Sequence, residues 1–164
     1  MCSSDLAAYE TLSQDLIFRV ESCFSSHGLI KKLRIHGDCH SGNVLWKDNA
    51  PNFVDFDDTM NGPAIQDLWM MLSGSRDQRQ AQIIELLEGY NEFYRFPTSE
   101  LSLIESLRTL RIMNYSAWLA RRWDDPAFPR NFPWFNSVRY WSEHILQLRE
   151  QLSALDEPPL EVLI

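Results

Sequence analysis

Apolar residues recur at helical spacing along most of this chain. Leu12, Leu16 and Val20 stand four residues apart and predict a helix from Leu6 to about Ser25. The same spacing predicts further helices over residues 76–94, 100–123 and 137–155, with a shorter one from Pro63 through Met71. Residues 124–136 hold three prolines and no helical period, so an ordered loop or a lid is expected there.

Two short apolar runs predict strands in the first half of the chain. Val44–Trp46 and Phe53–Val54 are separated by a segment rich in turn-forming residues, Lys47–Asn52. A hairpin of this kind returns the chain, so Asn43 before the first strand and Asp55 after the second are expected to meet. Short strands followed by several helices indicate an α+β fold that is mostly helical.

Composition excludes some classes of protein. The 164 residues, 45% of them hydrophobic, suffice for one domain with a core. A net charge of −8 gives no reason to expect nucleic acid or a membrane as a partner. No apolar run approaches the roughly 18 residues of a membrane span, and the first residues do not resemble a signal peptide. Three unpatterned cysteines are typical of a reducing cytoplasm.

The densest group of polar residues has the form H-G-D-x-H-x-x-N, at His36–Asn43, and a carboxylate follows the next apolar pair at Asp55. Phosphoryl transfer requires a positioned acceptor hydroxyl and neutralised phosphate charge. Asp38 can accept the hydroxyl proton, and the amide oxygen of Asn43 can coordinate Mg²⁺. Asp55 can bridge that metal to the nucleotide phosphates. Protein kinases place an Asp and an Asn at the same spacing in their catalytic loop.

Neighbouring polar residues have supporting interpretations. Strand alternation would put Asp55 and Asp57 on one face, where Asp57 either assists a second metal or is a solvated turn carboxylate. His36 is expected to brace the loop, and Asp67 to brace it from the following helix. His40 either orients Asp38, lines the acceptor site, or is purely structural.

Cys39 stands beside the candidate base, which invites a redox role for its thiol. Its neighbours are acidic, and nearby negative charge raises a thiol pKa. We therefore expect this cysteine to be inert.

The motif at residues 36–43, with the V-D-F-D string at 54–57, resembles the aminoglycoside phosphotransferase and choline kinase group of kinase-like folds. Three longer strings, at residues 61–70, 125–134 and 157–160, resemble the bacterial stress response kinases. The resemblance runs from about Leu33 onward. It implies the mostly helical C-terminal lobe of a protein-kinase-like fold, with a short β-hairpin at the active site.

The resemblance also implies a cytoplasmic Mg²⁺-dependent kinase that transfers the ATP γ-phosphate to a serine or threonine hydroxyl of a protein substrate. Asp38 would be the base, and Asn43 and Asp55 would hold the metal and nucleotide. Asp55 is preferred over Asp57 because in the family the metal-binding Asp directly follows an apolar pair, here Phe53-Val54. Asp55 is thereby counted with Asp38 among the catalytic residues.

The chain departs from the family in one respect. It contains no G-x-G-x-x-G and no V-A-I-K-like strand before the catalytic loop. We therefore expect residues 1–30 to form a lead-in helix, residues 31–164 to form the C-terminal catalytic lobe, and the N-terminal nucleotide-binding lobe to be absent. The chain is then expected to be inactive alone, with a separately supplied lobe as one candidate partner.

Two alternatives remain open. The motif also permits a small-molecule phosphotransferase that acts on an aminoglycoside, choline or homoserine-like acceptor. The missing nucleotide lobe permits a non-catalytic binding module or the remnant of a split kinase.

Overall fold

The computed structural model describes residues 3–162, and it is a mostly helical α+β protein, as predicted. Its helices are α1 (Ser3–His27), α2 (Ile65–Trp69), α3 (Arg76–Asn91), α4 (Ile104–Arg121), α5 (Ala127–Asn131) and α6 (Val138–Ala154). Its strands are β1 (Leu33–Ile35), β2 (Val44–Lys47), β3 (Ala50–Phe53) and β4 (Met60–Gly62). None of the described helices combines the length and the apolar character that crossing a membrane would need.

The described residues divide into two compact units. The helical unit comprises residues 3–26 and 105–157, and the loop unit comprises residues 27–104 and 158–162. The helical unit is built on apolar contacts between α1 and α6, where Leu16 and Leu148 are completely buried. Leu12 and Ile145 extend this core, which follows from the three- and four-residue apolar spacing of the two helices.

The structure differs from the sequence prediction most at the start of α4 and in the segment that follows it. Helix α4 begins at Ile104 instead of Glu100, because Thr98–Leu103 forms a separate 3₁₀ turn. The predicted loop over 124–136 contains the short helix α5, so that prediction was wrong. Pro129 is compatible with α5 because it lies in the first turn, where backbone N–H groups have no partner within the helix.

The strands of the loop unit form two antiparallel pairs. In the predicted hairpin, β2 pairs with β3 and Val44 lies opposite Phe53. Asp48 and Asn49 form its turn with φ values of 51° and 61°, a left-handed conformation that short polar side chains tolerate. The second pair joins β1 to β4. The sequence did not predict β4, because Met60–Gly62 is too short to show an alternating pattern.

Gly37 allows two segments of the loop unit to approach closely. It follows β1 with a φ of 89°, which L side chains rarely adopt. A Cβ at this position would lie 2.2 Å from the backbone carbonyl oxygen of Asp58, in the turn before β4. Glycine is therefore required where the chain leaves β1.

A buried polar cluster lies in the helical unit. The Ser116 hydroxyl is 2.8 Å from the Tyr140 hydroxyl and 3.1 Å from Nε2 of His144. The His144 ring stacks on the Tyr140 ring and is 4% exposed. Burial lowers the pKa of His144, because the interior disfavours the charged imidazolium.

Replacing Gly37 with alanine is expected to destabilise the chain more than the same change at Gly28. Both residues have positive φ, so each substitution carries the left-handed cost of about 1–2 kcal/mol. Only Gly37→Ala adds the overlap with Asp58, because a Cβ at Gly28 would meet nothing within 4 Å. Urea unfolding of both variants measures the difference. Equal losses of unfolding free energy would show that the close approach at Gly37 does not matter.

His144 is expected to make stability depend on pH. The pKa of His144 is lower in the folded chain than its ordinary value of 6.5. As the pH falls below 6.5, the unfolded chain therefore binds a proton more readily than the folded chain. The free energy of unfolding then decreases as the pH falls. Urea unfolding at pH 7.5 and 5.5 should show a larger loss for the native chain than for His144→Gln. All other residues are the same in both proteins, so their contributions cancel in this comparison. Equal losses in the two proteins would contradict the expectation.

Candidate active site

The candidate catalytic loop connects β1 to β2, and His40 organises its second half. Nδ1 of His40 accepts the N–H of Gly42 at 3.0 Å and caps a 3₁₀ turn over Ser41–Asn43. An imidazole that accepts at Nδ1 carries its proton on Nε2. That Nε2 lies 3.5 Å from Oδ2 of Asp38, so the N–H of His40 faces the candidate base. A Cβ at Gly42 would lie 2.7 Å from the His40 ring, so a larger residue there would displace the ring from this cap.

Asn43 is held by its amide nitrogen. The side chain is buried, and its Nδ2 donates to the backbone oxygen of Asp38 at 3.0 Å. This contact links the two residues that the motif places at fixed spacing. It also leaves the amide oxygen, a hard ligand, as the end of Asn43 suited to a metal ion.

The backbone of Val54 is clamped on both sides by the loop. Its N–H donates to the backbone oxygen of Asn43 at 3.0 Å, and its carbonyl lies 2.8 Å from Nε2 of His36. The buried His36 ring also contacts Phe56, with ring centroids 4.7 Å apart. These contacts bring the segment that carries Asp55 against the loop, and they are the contacts expected of a loop-bracing His36.

Asp55 is exposed and has a left-handed backbone, with φ 65° and ψ 65°. A 3₁₀ turn over Phe56–Asp58 follows directly. The expectation that strand alternation puts Asp55 and Asp57 on one face was wrong, because β3 ends at Phe53. Asp57 lies exposed within the turn.

Asp67 holds the start of the loop from α2. Its Oδ2 accepts the backbone N–H of His36 at 2.7 Å, and its Oδ1 accepts that of Gly37 at 2.9 Å. The neighbouring Gln66 donates through Nε2 to the backbone oxygen of Gly37 at 3.1 Å. The sequence predicted the contact by Asp67 but missed Gln66, which no local pattern distinguishes from an exposed helical glutamine.

The Cys39 thiol is buried beside the candidate base. Burial, followed by the charges of Asp67 and Asp38, raises the pKa of this thiol to about 11. Because the thiolate is the reactive form, Cys39 stays protonated near neutral pH. This agrees with the expectation of an inert residue.

Among residues 3–162 no three His, Cys, Asp or Glu side chains form a group that could hold a metal ion. A magnesium site does not require such a group, since Mg²⁺ keeps several waters and uses one or two carboxylates with substrate phosphates. The amide oxygen of Asn43 and the exposed carboxylate of Asp55 are hard oxygen donors on segments joined through Val54. The donor chemistry therefore fits Mg²⁺.

Comparison with known proteins places this chain among phosphotransferases. Residues 4–101, which include the whole candidate loop, match the model of the phosphotransferase enzyme family. The chain is 46% identical over 160 residues to stress response kinase A of Salmonella choleraesuis and to serine/threonine protein kinase RdoA of Salmonella typhimurium. It is 52% identical over 130 residues to stress response kinase A of Escherichia coli K12.

The alignments cover most of this chain and less than half of each relative. They take in 98% of the chain and 48% of each Salmonella protein, and 79% of the chain and 39% of the Escherichia coli protein. The chain thus spans about half the length of the curated relatives it matches. Because the family model matches more than half of the chain, this protein belongs to the phosphotransferase enzyme family.

Proposed function

We propose that this chain is the C-terminal catalytic lobe of a Mg²⁺-dependent serine/threonine protein kinase that transfers the γ-phosphate of ATP to a protein hydroxyl. The observation that carries the proposal is the linked set of hydrogen bonds joining Asp38, Asn43 and Val54, which holds the base and both candidate metal ligands in one small region. The Salmonella and Escherichia coli relatives are named as kinases, which supports the same reaction class.

In the proposed mechanism, the hydroxyl oxygen of the acceptor attacks the γ-phosphorus. A carboxylate oxygen of Asp38 accepts the proton that this hydroxyl loses. The bond from the γ-phosphorus to the bridging oxygen of ADP breaks in the same transfer. The Nε2–H of His40 lies 3.5 Å from Oδ2 of Asp38 and would orient that carboxylate. Asn43 and Asp55 would hold Mg²⁺, and this ion would neutralise the negative charge of the phosphates.

The supporting roles follow from the same contacts. We assign loop bracing to His36 and Asp67, because their side chains bond to the backbone on either side of Asp38. Asp57 lies near the proposed metal in sequence, and its exposed carboxylate would assist a second ion. The acceptor is proposed to be a protein, with a small-molecule hydroxyl as the competing class.

The domain division is also part of the proposal. We assign residues 31–164 to the catalytic lobe and residues 1–30 to a lead-in helix. These 164 residues include no glycine-rich nucleotide loop, so the ATP phosphates would be held by a lobe not among them. The small number of cysteines, three in 164 residues, and the net charge of −8 support the proposal of a cytoplasmic location, without nucleic acid or membrane as a partner.

The chain alone is expected to transfer little or no phosphate, and adding the separately expressed N-terminal half of a relative should restore transfer. The reason is that transfer requires the γ-phosphate of the nucleotide and the acceptor hydroxyl to be held in the orientation in which they react. The measurement is incorporation of labelled phosphate from ATP and Mg²⁺ into a generic protein substrate, with an amino alcohol as the parallel acceptor. Turnover near the usual 1–100 s⁻¹ by the chain alone would contradict this expectation.

Asp38→Asn tests the base in that restored reaction. Loss of a general base is expected to lower the rate about 10²–10⁴-fold. Asp48→Asn is the matched control, because it removes one carboxylate at an exposed left-handed turn position that asparagine tolerates. Unchanged transfer by Asp38→Asn would overturn the assigned role.

Mg²⁺ is expected to bind weakly in the absence of nucleotide, because two protein ligands leave it largely hydrated. Calorimetry should show no micromolar site. Mn²⁺ used as a paramagnetic probe should broaden the amide signals of Asn43 and Val54, and Asp55→Asn should reduce that broadening. Asp48→Asn, in the exposed turn of the hairpin, is the matched control and should leave the broadening unchanged. A tight site that survives Asp55→Asn would place the metal elsewhere.

A further inference from the structure

Glu100 is a buried carboxylate that the proposed mechanism does not use. It is 2% exposed, and it lies in the 3₁₀ turn before α4. Its Oε2 accepts the backbone N–H of Ile65 at 3.1 Å, across 35 residues of sequence. Ile65 is the first residue of α2, and the preceding Ala64 provides no side-chain cap. Glu100 therefore supplies from a distant segment the cap that α2 lacks locally.

A buried carboxylate is a cap with a large desolvation cost. Burial raises the pKa of Glu100, while the backbone N–H groups of Ile65 and Ala64 and the nearby His27 oppose that rise. A local serine or asparagine would cap α2 without burying an ionisable group. The neighbouring backbone is itself held, because the His27 ring contacts the carbonyl of Ser99 at 3.0 Å. The arrangement fixes the start of α2 in one place.

The position of α2 matters because of what its next residues touch. Gln66 and Asp67 directly follow Ile65, and together they bond to the backbone N–H of His36 and to both the N–H and the carbonyl of Gly37. Asp38 is the next residue in the loop. A small shift of α2 would therefore move the backbone that aims the candidate base.

We propose that Glu100 is a positioning residue for phosphoryl transfer: it fixes the start of α2, and through Asp67 and Gln66 it fixes the backbone of His36 and Gly37 ahead of Asp38. The catalytic part of this inference rests on the proposed function. The positional part concerns the folded chain alone and is measured without nucleotide.

Residue-resolved amide hydrogen exchange of the whole chain tests the positional part. In Glu100→Gln, which keeps one acceptor oxygen but removes the charge, the amides of His36 and Gly37 are expected to exchange about tenfold faster, as for loss of one buried hydrogen bond. The amide of Leu87, in the buried part of α3, serves as the reference and should change little. Glu100→Ala should show a larger effect at the same two amides.

Two further variants serve as references for the exchange rates of the His36 and Gly37 amides. Asp67→Asn alters the receiving carboxylate directly and should speed exchange at the same two amides. Glu88→Gln, on the exposed side of α3, is the matched control and should leave them unchanged. The proposal is overturned if His36 and Gly37 in Glu100→Gln do not change, or if they change only in step with Leu87, which would indicate a general effect on stability.

The restored phosphate-transfer assay tests the catalytic part. Glu100→Gln should lower kcat about tenfold with little change in KM for ATP, because it disturbs the aim of the base and leaves the nucleotide contacts intact. If no transfer occurs with the native chain, the proposed function fails while the exchange result still decides the positional role. If transfer occurs and Glu100→Gln leaves kcat unchanged, the positioning role is wrong.

Discussion

The loop unit depends on one carboxylate that receives two consecutive backbone N–H groups. Strand β1 ends at Ile35, so the N–H groups of His36 and Gly37 need other partners than the strand pair. Asp67 accepts both, one on each oxygen. A charged acceptor forms stronger hydrogen bonds than a neutral one. The loop thereby obtains a fixed start without regular secondary structure.

The other end of the loop is fixed by the same means, with a side chain bonded to the backbone. Nδ2 of Asn43 donates to the carbonyl of Asp38, and Nε2 of His36 lies against the carbonyl of Val54. One set of polar groups therefore braces the loop. The proposed chemistry uses another set, which consists of the carboxylates of Asp38 and Asp55 and the amide oxygen of Asn43. His40 belongs to both sets, since one ring nitrogen caps a turn and the other faces Asp38.

Local patterns in the sequence predicted the features that local forces determine. Apolar residues spaced three and four apart located α1 and α6, and turn-forming residues located the β2–β3 hairpin. The hairpin was expected to bring Asn43 and Asp55 together, and the hydrogen bond from the Val54 N–H to the Asn43 carbonyl joins the two segments that carry them. Whether Asp38, Asn43 and Asp55 act in catalysis stays a prediction.

Other features were missed because they depend on contacts between distant residues. Glu100 resembles an ordinary acid in the first turn of a helix, and only its contact with Ile65, 35 residues away, distinguishes it. Strand β4 exists because it pairs with β1, and Ser116 and His144 meet only when α4 and α6 pack together. Periodicity carries no information about such pairs.

The backbone at Asp55 shows how these contacts serve the proposed site. A left-handed conformation costs a residue with a side chain about 1–2 kcal/mol, and aspartate is among the residues that tolerate it best. The contacts that offset this cost lie on either side. Val54 is clamped by Asn43 and His36, and the turn that follows is closed by Thr59, whose backbone N–H and hydroxyl both bond to the carbonyl of Phe56. Strain persists in folded proteins only where the surroundings over-determine it, and it concentrates at functional sites. The proposed role of Asp55 as a metal ligand would account for an exposed carboxylate that is held in this conformation between two fixed segments.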